Sequence, residues 1–221
     1  GIDRLHAFDH ALNVERGRDP AATLQRLEQP VLELRQLTLR TPDSLRLLIH
    51  EVSLRVEAGR GLLIVGPSGC GKSSLLRALA GLWDCGSGTI LRPDLDDMLF
   101  LPQRPYMILG TLRHQLLYPK ATREPSEAEL RRALESVNLP ELVERCGGFD
   151  VELDFGKLLS IGEQQRLAIA RVLLSKPRYV MLDEATSALD AINEQALYEL
   201  LHATDATLVS VAHRPALGKS H

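Results

Sequence analysis

An α/β fold built on a parallel core sheet is what this sequence predicts, and three observations carry the prediction. Four short runs are almost wholly apolar, as strands buried on both faces tend to be: Leu62 to Val65, Met98 to Leu101, Tyr179 to Leu182 and Thr207 to Val211. The first run ends in a glycine-rich turn that leads into Lys72 to Leu82, where Leu75, Leu76, Leu79 and Leu82 mark a buried helical face. Two Ser-x-x-Glu capping boxes, Ser126 with Glu129 and Ser160 with Glu163, open helices expected to run to about Val137 and to just before Pro177.

The remaining elements follow in chain order. Ile2, Leu5, Phe8 and Leu12 recur at three-to-four spacing and predict a short amphipathic docking helix. Asn13 to Pro30 is polar and broken by Gly17, Pro20 and Pro30, which reads as a linker, so residues 1–30 stand as a lead and 31–221 as the folded domain. Alternating patterns in Val31 to Leu34, Leu47 to Ile49 and Val52 to Val56, separated by Thr41-Pro42-Asp43, predict an antiparallel β-subdomain with a turn. The capping-box helices fall in an insert of about 111–176, between the strands of the core.

Composition narrows the function classes. The chain has 221 residues, 26 basic against 29 acidic, with 44% apolar and 25% charged residues, values of an ordinary globular domain. A net charge of −3 excludes a basic nucleic-acid-coating domain, so no nucleic-acid partner is expected. Three cysteines, Cys70, Cys85 and Cys146, without a C-x-x-C, imply neither a disulfide framework nor a zinc knuckle, and fit a reducing compartment. No apolar run approaches the roughly 18 residues of a membrane-spanning helix. The chain opens at Gly1 rather than Met, so it is expected to be part of something longer.

Two motifs carry chemistry. Gly66-Pro67-Ser68-Gly69-Cys70-Gly71-Lys72-Ser73 matches the phosphate-binding P-loop, with the required strand before it and helix after it. Its glycines let backbone N–H groups turn inward around phosphates, Lys72 reaches the β/γ oxygens, and Ser73 offers a hydroxyl to Mg²⁺. The strand Tyr179 to Leu182 ends in Asp183-Glu184, two carboxylates at the strand end where open α/β sheets place ligands. Asp183 is expected to hold Mg²⁺ through its shell, and Glu184 to polarise the water that attacks the γ-phosphate. Ser160, at a helix N-terminus beside Gly162, presents a hydroxyl and backbone donors along the positive end of a dipole, suited to another phosphate contact.

In their order these motifs resemble the nucleotide-binding domain of ABC transporters, over about residues 31–215. Leu159-Ser160-Ile161-Gly162-Glu163-Gln164-Gln165-Arg166 looks like the ABC signature and Ser187-Ala188-Leu189-Asp190 like the D-loop. Gln103 is similar to the Q-loop glutamine that senses Mg²⁺, and His213 to the switch histidine beside the γ-phosphate. The resemblance implies the ABC ATPase fold: a P-loop NTPase core with parallel sheet, an antiparallel β-subdomain and an inserted helical subdomain. It implies ATP and Mg²⁺ as ligands, with Glu184, His213 and Gln103 catalytic and Ser73, Gln103 and Asp183 toward the metal. The nucleotide-contacting set is Gly66 to Ser74, with Ser160, Gly162, Glu163 and Asp190. It also implies head-to-tail packing with a second or paralogous copy, each nucleotide lying between one P-loop and the other signature. A transmembrane domain of the same chain then anchors the module on the cytoplasmic or stromal side of a membrane.

Departures from the pattern are informative. Ile161 replaces the usual glycine, Glu163 the usual glutamine, and Thr41 stands where an aromatic residue usually stacks on adenine. Thr41-Pro42, Gly81-Leu82-Trp83, Leu101 to Met107 and His213 to Leu217 together resemble the peroxisomal-type half-transporters and their bacterial or plastid relatives, a branch that moves fatty acyl conjugates, cobalamin or peptides. After His213 the chain stops at His221, short of the last strand and helix expected of such a domain. Two other readings stand beside this one: a free-standing ATPase subunit docking on separate permeases, and a soluble ABC-type ATPase of translation or DNA repair.

Overall fold

The computed structural model describes residues 23–119 and 123–212. Its first sheet is mixed and consists of β1 (Leu24–Glu28), β2 (Leu32–Arg40), β3 (Leu47–Val56) and β5 (Gly86–Arg92), in the order β1-β5-β2-β3. β2 and β3 pair antiparallel across a turn in which the Thr41 N–H donates to the Arg46 carbonyl. The second sheet is wholly parallel and consists of β4 (Leu62–Val65), β6 (Met98–Leu101), β9 (Tyr179–Asp183) and β10 (Thr207–Ala212), in the order β4-β10-β9-β6.

The apolar runs of the parallel strands feed two separate cores, because successive side chains of a strand face opposite ways. Tyr179 and Met181 of β9, Met98 of β6, and Val209 and Val211 of β10 join the core shared with the first sheet and with α1 (Lys72–Leu79). Val180 and Leu182, Leu99 and Leu101, and Leu208 join the core under the helical insert. That insert contains α2 (Leu112–Leu117), α3 (Glu127–Ser136), α4 (Leu142–Arg145), α5 (Phe155–Leu158) and α6 (Ile161–Ser175), with a two-residue ladder between β7 (Leu109–Gly110) and β8 (Leu153–Asp154). The last described helix, α7 (Ala191–His202), precedes β10. Among the described residues no helix is long and apolar enough to cross a membrane.

Both capping boxes form. Ser126 and Glu129 close α3 reciprocally, Ser160 and Glu163 close α6, and α6 ends at Lys176 in the left-handed region just before Pro177. Two expectations need correction. The stretch read as linker contains β1, which adds parallel to β5 at the sheet edge. An edge strand buries little, and only Leu24 of β1 is buried, so its polar sequence hid it. The buried face of the helix after the P-loop stops at Leu79: α1 ends there, Gly81 turns the chain at φ +81°, and Leu82 is left 76% exposed. The predicted helix at Ile2 to Leu12, His213 and the segment after it lie outside the described residues.

Candidate nucleotide site

The phosphate-binding turn grows out of β4 and hands over to α1. Gly71 is the N-cap of α1 at φ +101°, a left-handed conformation that glycine adopts without penalty. A Cβ there would lie 2.9 Å from Leu48 Cβ of β3, so the neighbouring sheet also requires the bare backbone. Gly69 is left-handed too, at φ +76°, but faces open space. Cys70 tucks its thiol under Gly66, where an added Cβ would stand 2.8 Å from Cys70 Sγ. The Cys70 N–H donates to the Pro67 carbonyl at 3.4 Å, and from outside the turn Arg46 Nη2 donates to the Gly69 carbonyl at 3.0 Å. Ser68 sits at the exposed tip of the turn, while Ser74 continues α1.

Lys72 is buried, and its Nζ donates to the carbonyls of Gly66 at 2.7 Å and Pro67 at 2.9 Å, which folds the ammonium back over the loop that it begins. Ser73 Oγ donates to Asp183 Oδ1 at 2.9 Å, joining two residues that are 110 apart in sequence. This contact follows from topology: β9 is separated from β4 by β10 alone, so the end of β9 lies beside the start of α1. The next residue, Glu184, adopts φ +51°, unusual for a side-chain-bearing residue, while its N–H donates to the Val211 carbonyl at 3.3 Å. Such strain in a non-glycine residue is concentrated at functional positions.

The fit of Mg²⁺ is a question of donor chemistry. A hydroxyl and a carboxylate in contact are hard oxygen donors, and Mg²⁺ takes one or two such protein ligands with phosphate and water completing its shell. Among the described residues no group of three or more His, Cys, Asp or Glu could form an all-protein metal cage, in keeping with that division.

The other motif residues are linked through α6. Gln165, almost fully buried, donates through Nε2 to the Gln103 carbonyl at 2.8 Å and accepts the Ala188 N–H at 3.1 Å. The Gln103 amide in turn donates to Ser187 Oγ at 3.4 Å. Gly162 packs against the same loop, with an added Cβ 3.4 Å from Leu189 Cδ2. Asp190 spends its carboxylate on capping α7, accepting N–H groups of Ile192 at 3.1 Å and Asn193 at 2.9 Å, and these donors hold its carboxyl below the usual range. Further along α6, Arg171 is 4% exposed and has no carboxylate partner among the described residues; it donates to the carbonyls of Gln115 and Tyr106, and burial pulls its guanidinium down to about 10.

Glu163 is where sequence reasoning missed a partner. Its Oε2 accepts the Ser160 N–H at 2.8 Å and the Ser160 hydroxyl at 2.9 Å, while Oε1 accepts Arg145 Nη1 at 2.6 Å. Partial burial pushes the carboxyl up, but the Arg145 bond and the Ser160 donors outweigh it and hold the group at about 2. A half-buried acid in the first turn of a helix is the signal in the sequence that a base lies nearby. The spacing of 18 residues to Arg145 gave no hint of which one.

A cleft of about 480 Å³ opens beside the Ser73–Asp183 pair, lined mainly by apolar residues such as Leu82, Phe100, Tyr106 and Tyr118, with Arg171 in its wall. The site is thus a cradle of backbone donors, a lysine, a hydroxyl–carboxylate pair and a strained glutamate, with a second capped helix end elsewhere on the same chain.

Comparison with known proteins agrees with this geometry. A family model described as ABC transporter matches residues 49–187. The whole chain is similar, at 52% identity, to an uncharacterized ABC transporter ATP-binding protein of Synechocystis sp., of which it covers 34%. It is similar, at 40% identity, to the chloroplastic ABC transporter D family member 2 of Arabidopsis thaliana, of which it covers 41%. Over 85% of its length it is 41% identical to a lysosomal cobalamin transporter of Mus musculus and covers 33% of it. The chain therefore spans between a third and about two fifths of these curated relatives. Among solved structures, a bacterial Atm1-family ABC exporter with ATP bound superposes with a TM-score of 0.71 at 29% identity, over 95% of this chain and 40% of that one.

Proposed function

Because the chain belongs to the ABC transporter family, as an ATP-binding module with the ABC ATPase fold, we propose that it drives transport of a lipophilic or acyl-type cargo by closing head to tail on a second such module around MgATP. The observation that carries the reading is the 2.9 Å contact between Ser73 and Asp183 at the mouth of a left-handed glycine cradle. In it, backbone N–H groups of the Gly66 to Ser74 loop, Pro67 excepted, receive the phosphates, and Lys72 exchanges its two carbonyl partners for β/γ oxygens. Mg²⁺, when bound, would neutralise the phosphate charge that develops during transfer, and Ser73, Asp183 and Gln103 are the residues that would hold it. Glu184 orients and polarises the attacking water, and His213 donates a hydrogen bond to the γ-phosphate.

One phosphate cannot touch two loops facing different ways on one chain, so Ser160, Gly162, Glu163 and Asp190 belong to the partner's nucleotide, an isologous arrangement. The family relationship and the chain's coverage of only about a third of its relatives support a transmembrane domain that precedes the module. The apolar cleft lined by Pro102 and Pro105, which flank Gln103 in the sequence, supports the same reading, as the place where motion at the nucleotide reaches that domain. The cargo class rests on the peroxisomal-type motifs and on the D-family and cobalamin-transporter relatives.

The test is ATP-dependent dimerisation. Glu184→Gln keeps binding and stops hydrolysis, so MgATP is expected to double the mass seen by light scattering. Lys72→Ala in that background is expected to keep the chain monomeric and to abolish the calorimetric binding signal. A monomer at all ATP concentrations in the Glu184→Gln variant would refute the sandwich. Undiminished ATP affinity in Lys72→Ala would refute the cradle.

A further inference from the structure

We propose that Arg145 is a positioning residue for the nucleotide-facing serine: it neutralises Glu163, so that a carboxylate can hold Ser160 without repelling the triphosphate that Ser160 must meet. The inference rests on the reading of Ser160 as a contact to a partner's nucleotide.

A glutamine, which the family resemblance leads one to expect here, has a single acceptor oxygen in its amide, whereas a carboxylate has two. Glu163 uses both: Oε2 takes the main-chain N–H and the hydroxyl of Ser160, and Oε1 takes Arg145. The acid therefore does what the amide cannot, gripping the serine and a second helix together. Its side chain is only 16% exposed, so water screens the charge poorly.

That grip has an electrostatic cost. The first N–H groups of α6 have no intrahelical acceptors, and the resulting positive end is what suits it to an anion. A bare carboxylate on the third residue of the helix competes with the phosphate for the same potential. Arg145 cancels it, and is the one ion-pair partner recorded for Glu163 among the described residues. The Arg145 side chain is 37% exposed, but the helix that carries it is anchored. Arg145 ends α4, whose Leu142 and Val143 are buried, and Cys146 beyond it is buried too. Glu144, the neighbouring acid, is engaged elsewhere, with Arg131 at 2.9 Å.

A second consequence concerns the hydroxyl proton. In the structure the Ser160 hydroxyl donates to Glu163 Oε2, and to serve a phosphate it must turn that proton outward. A guanidinium bonded to the other oxygen draws charge from the carboxylate and loosens its hold on the proton. Removing Arg145 thus both strengthens the wrong hydrogen bond and exposes a like charge.

The experiment measures, in the full chain and in the Glu184→Gln background, the ATP concentration giving half-maximal dimer by light scattering. Arg145→Ala is expected to raise it about tenfold, equivalent to about 1.4 kcal/mol. The shift is expected to shrink when ionic strength is raised, because salt gathers round the triphosphate and weakens its repulsion by the unneutralised Glu163. In the Glu163→Gln background Arg145→Ala is expected to add no further shift, because no charge is left to neutralise, and that lost coupling also excludes misfolding of Arg145→Ala as the cause. If Arg145→Ala costs as much in the Glu163→Gln background as in the parent, the base does not act through the Glu163 charge and the proposal fails. It fails equally if Arg145→Ala shifts nothing while Ser160→Ala does. An unshifted Ser160→Ala overturns the underlying reading of the serine, and the proposal with it.

Discussion

Replacing Gly71 by alanine is the sharpest test of how the phosphate cradle is built, because two separable costs meet there. The first is backbone: a side-chain-bearing residue at φ +101° loses roughly 1–2 kcal/mol relative to glycine. The second is collision, since the new Cβ would stand 2.9 Å from Leu48 Cβ and 3.3 Å from the Leu48 carbonyl oxygen. These atoms belong to β3, whose pairing with β2 keeps them from retreating, and overpacking of this kind costs about 1–3 kcal/mol. Together they predict a loss of about 3 kcal/mol, or roughly 6–12 °C in melting temperature for a chain of this size. Gly69→Ala is the internal control: at φ +76° with open space around it, only the backbone cost applies, roughly 3–6 °C. Thermal unfolding followed by circular dichroism compares the two variants directly. Trimming Leu48 to alanine should not rescue Gly71→Ala, because the colliding atom is the Cβ that alanine retains. Equal losses in the two glycine variants, or a rescue by Leu48→Ala, would refute the account of the collision.

Two further outcomes follow from the site. Ser73→Ala removes the hydroxyl that bonds Asp183, so calorimetric ATP titrations in chelator should match the wild type while the gain on adding Mg²⁺ disappears; a full Mg²⁺ gain would separate Ser73 from the metal. In acid, Glu163 and Glu129 are both held at about 2 against an ordinary 4.5, Glu129 chiefly by Arg123 and then by Ser126. A carboxyl lowered by folding stabilises the native state above its unfolded value and loses that contribution as pH falls through the folded one. Urea midpoints should therefore hold steady above about pH 5 and fall from there toward pH 2, with a shallower fall in Glu163→Gln; identical slopes would refute the assignment.

What the sequence made legible was whatever is encoded locally. The glycine turn, the Asp183-Glu184 pair after an apolar strand, and both capping boxes involve residues within one strand or one helical turn, and their spacing is dictated by backbone geometry. The four apolar runs were readable because strands buried on both faces need no alternation, and each of them forms a strand. The order β4-β10-β9-β6 was not readable, since it depends on which crossovers close on which edges. Nor was β1, whose single buried leucine cannot produce a pattern. Leu82 misled for another reason: it continues the helical spacing of Leu75 and Leu79 but follows Gly81, whose left-handed turn ends the periodicity. The Arg145–Glu163 pair joins two helices of the insert, and no local rule reports a partner 18 residues away.

The helix that bears Ser160 also explains how events at the nucleotide could reach the cleft without any wire of special residues. α6 is buried on most of its circumference, and polar side chains attach it to its surroundings at several levels along its length. Ser160 and Glu163 fix its start to α4 through Arg145, Gln165 fixes it to the Gln103 and Ala188 backbones, and Arg171 fixes it to Tyr106 and Gln115 at the cleft. Sliding the helix past any one of these loops would leave a buried donor or acceptor unmet, at about 1–3 kcal/mol for each neutral group and more for the guanidinium. Rotating helix and loops together breaks none of these bonds. On the proposed role of Ser160, a pull there is expected to displace α6 together with these loops, and the cleft wall that carries Arg171 is expected to move by the same rotation.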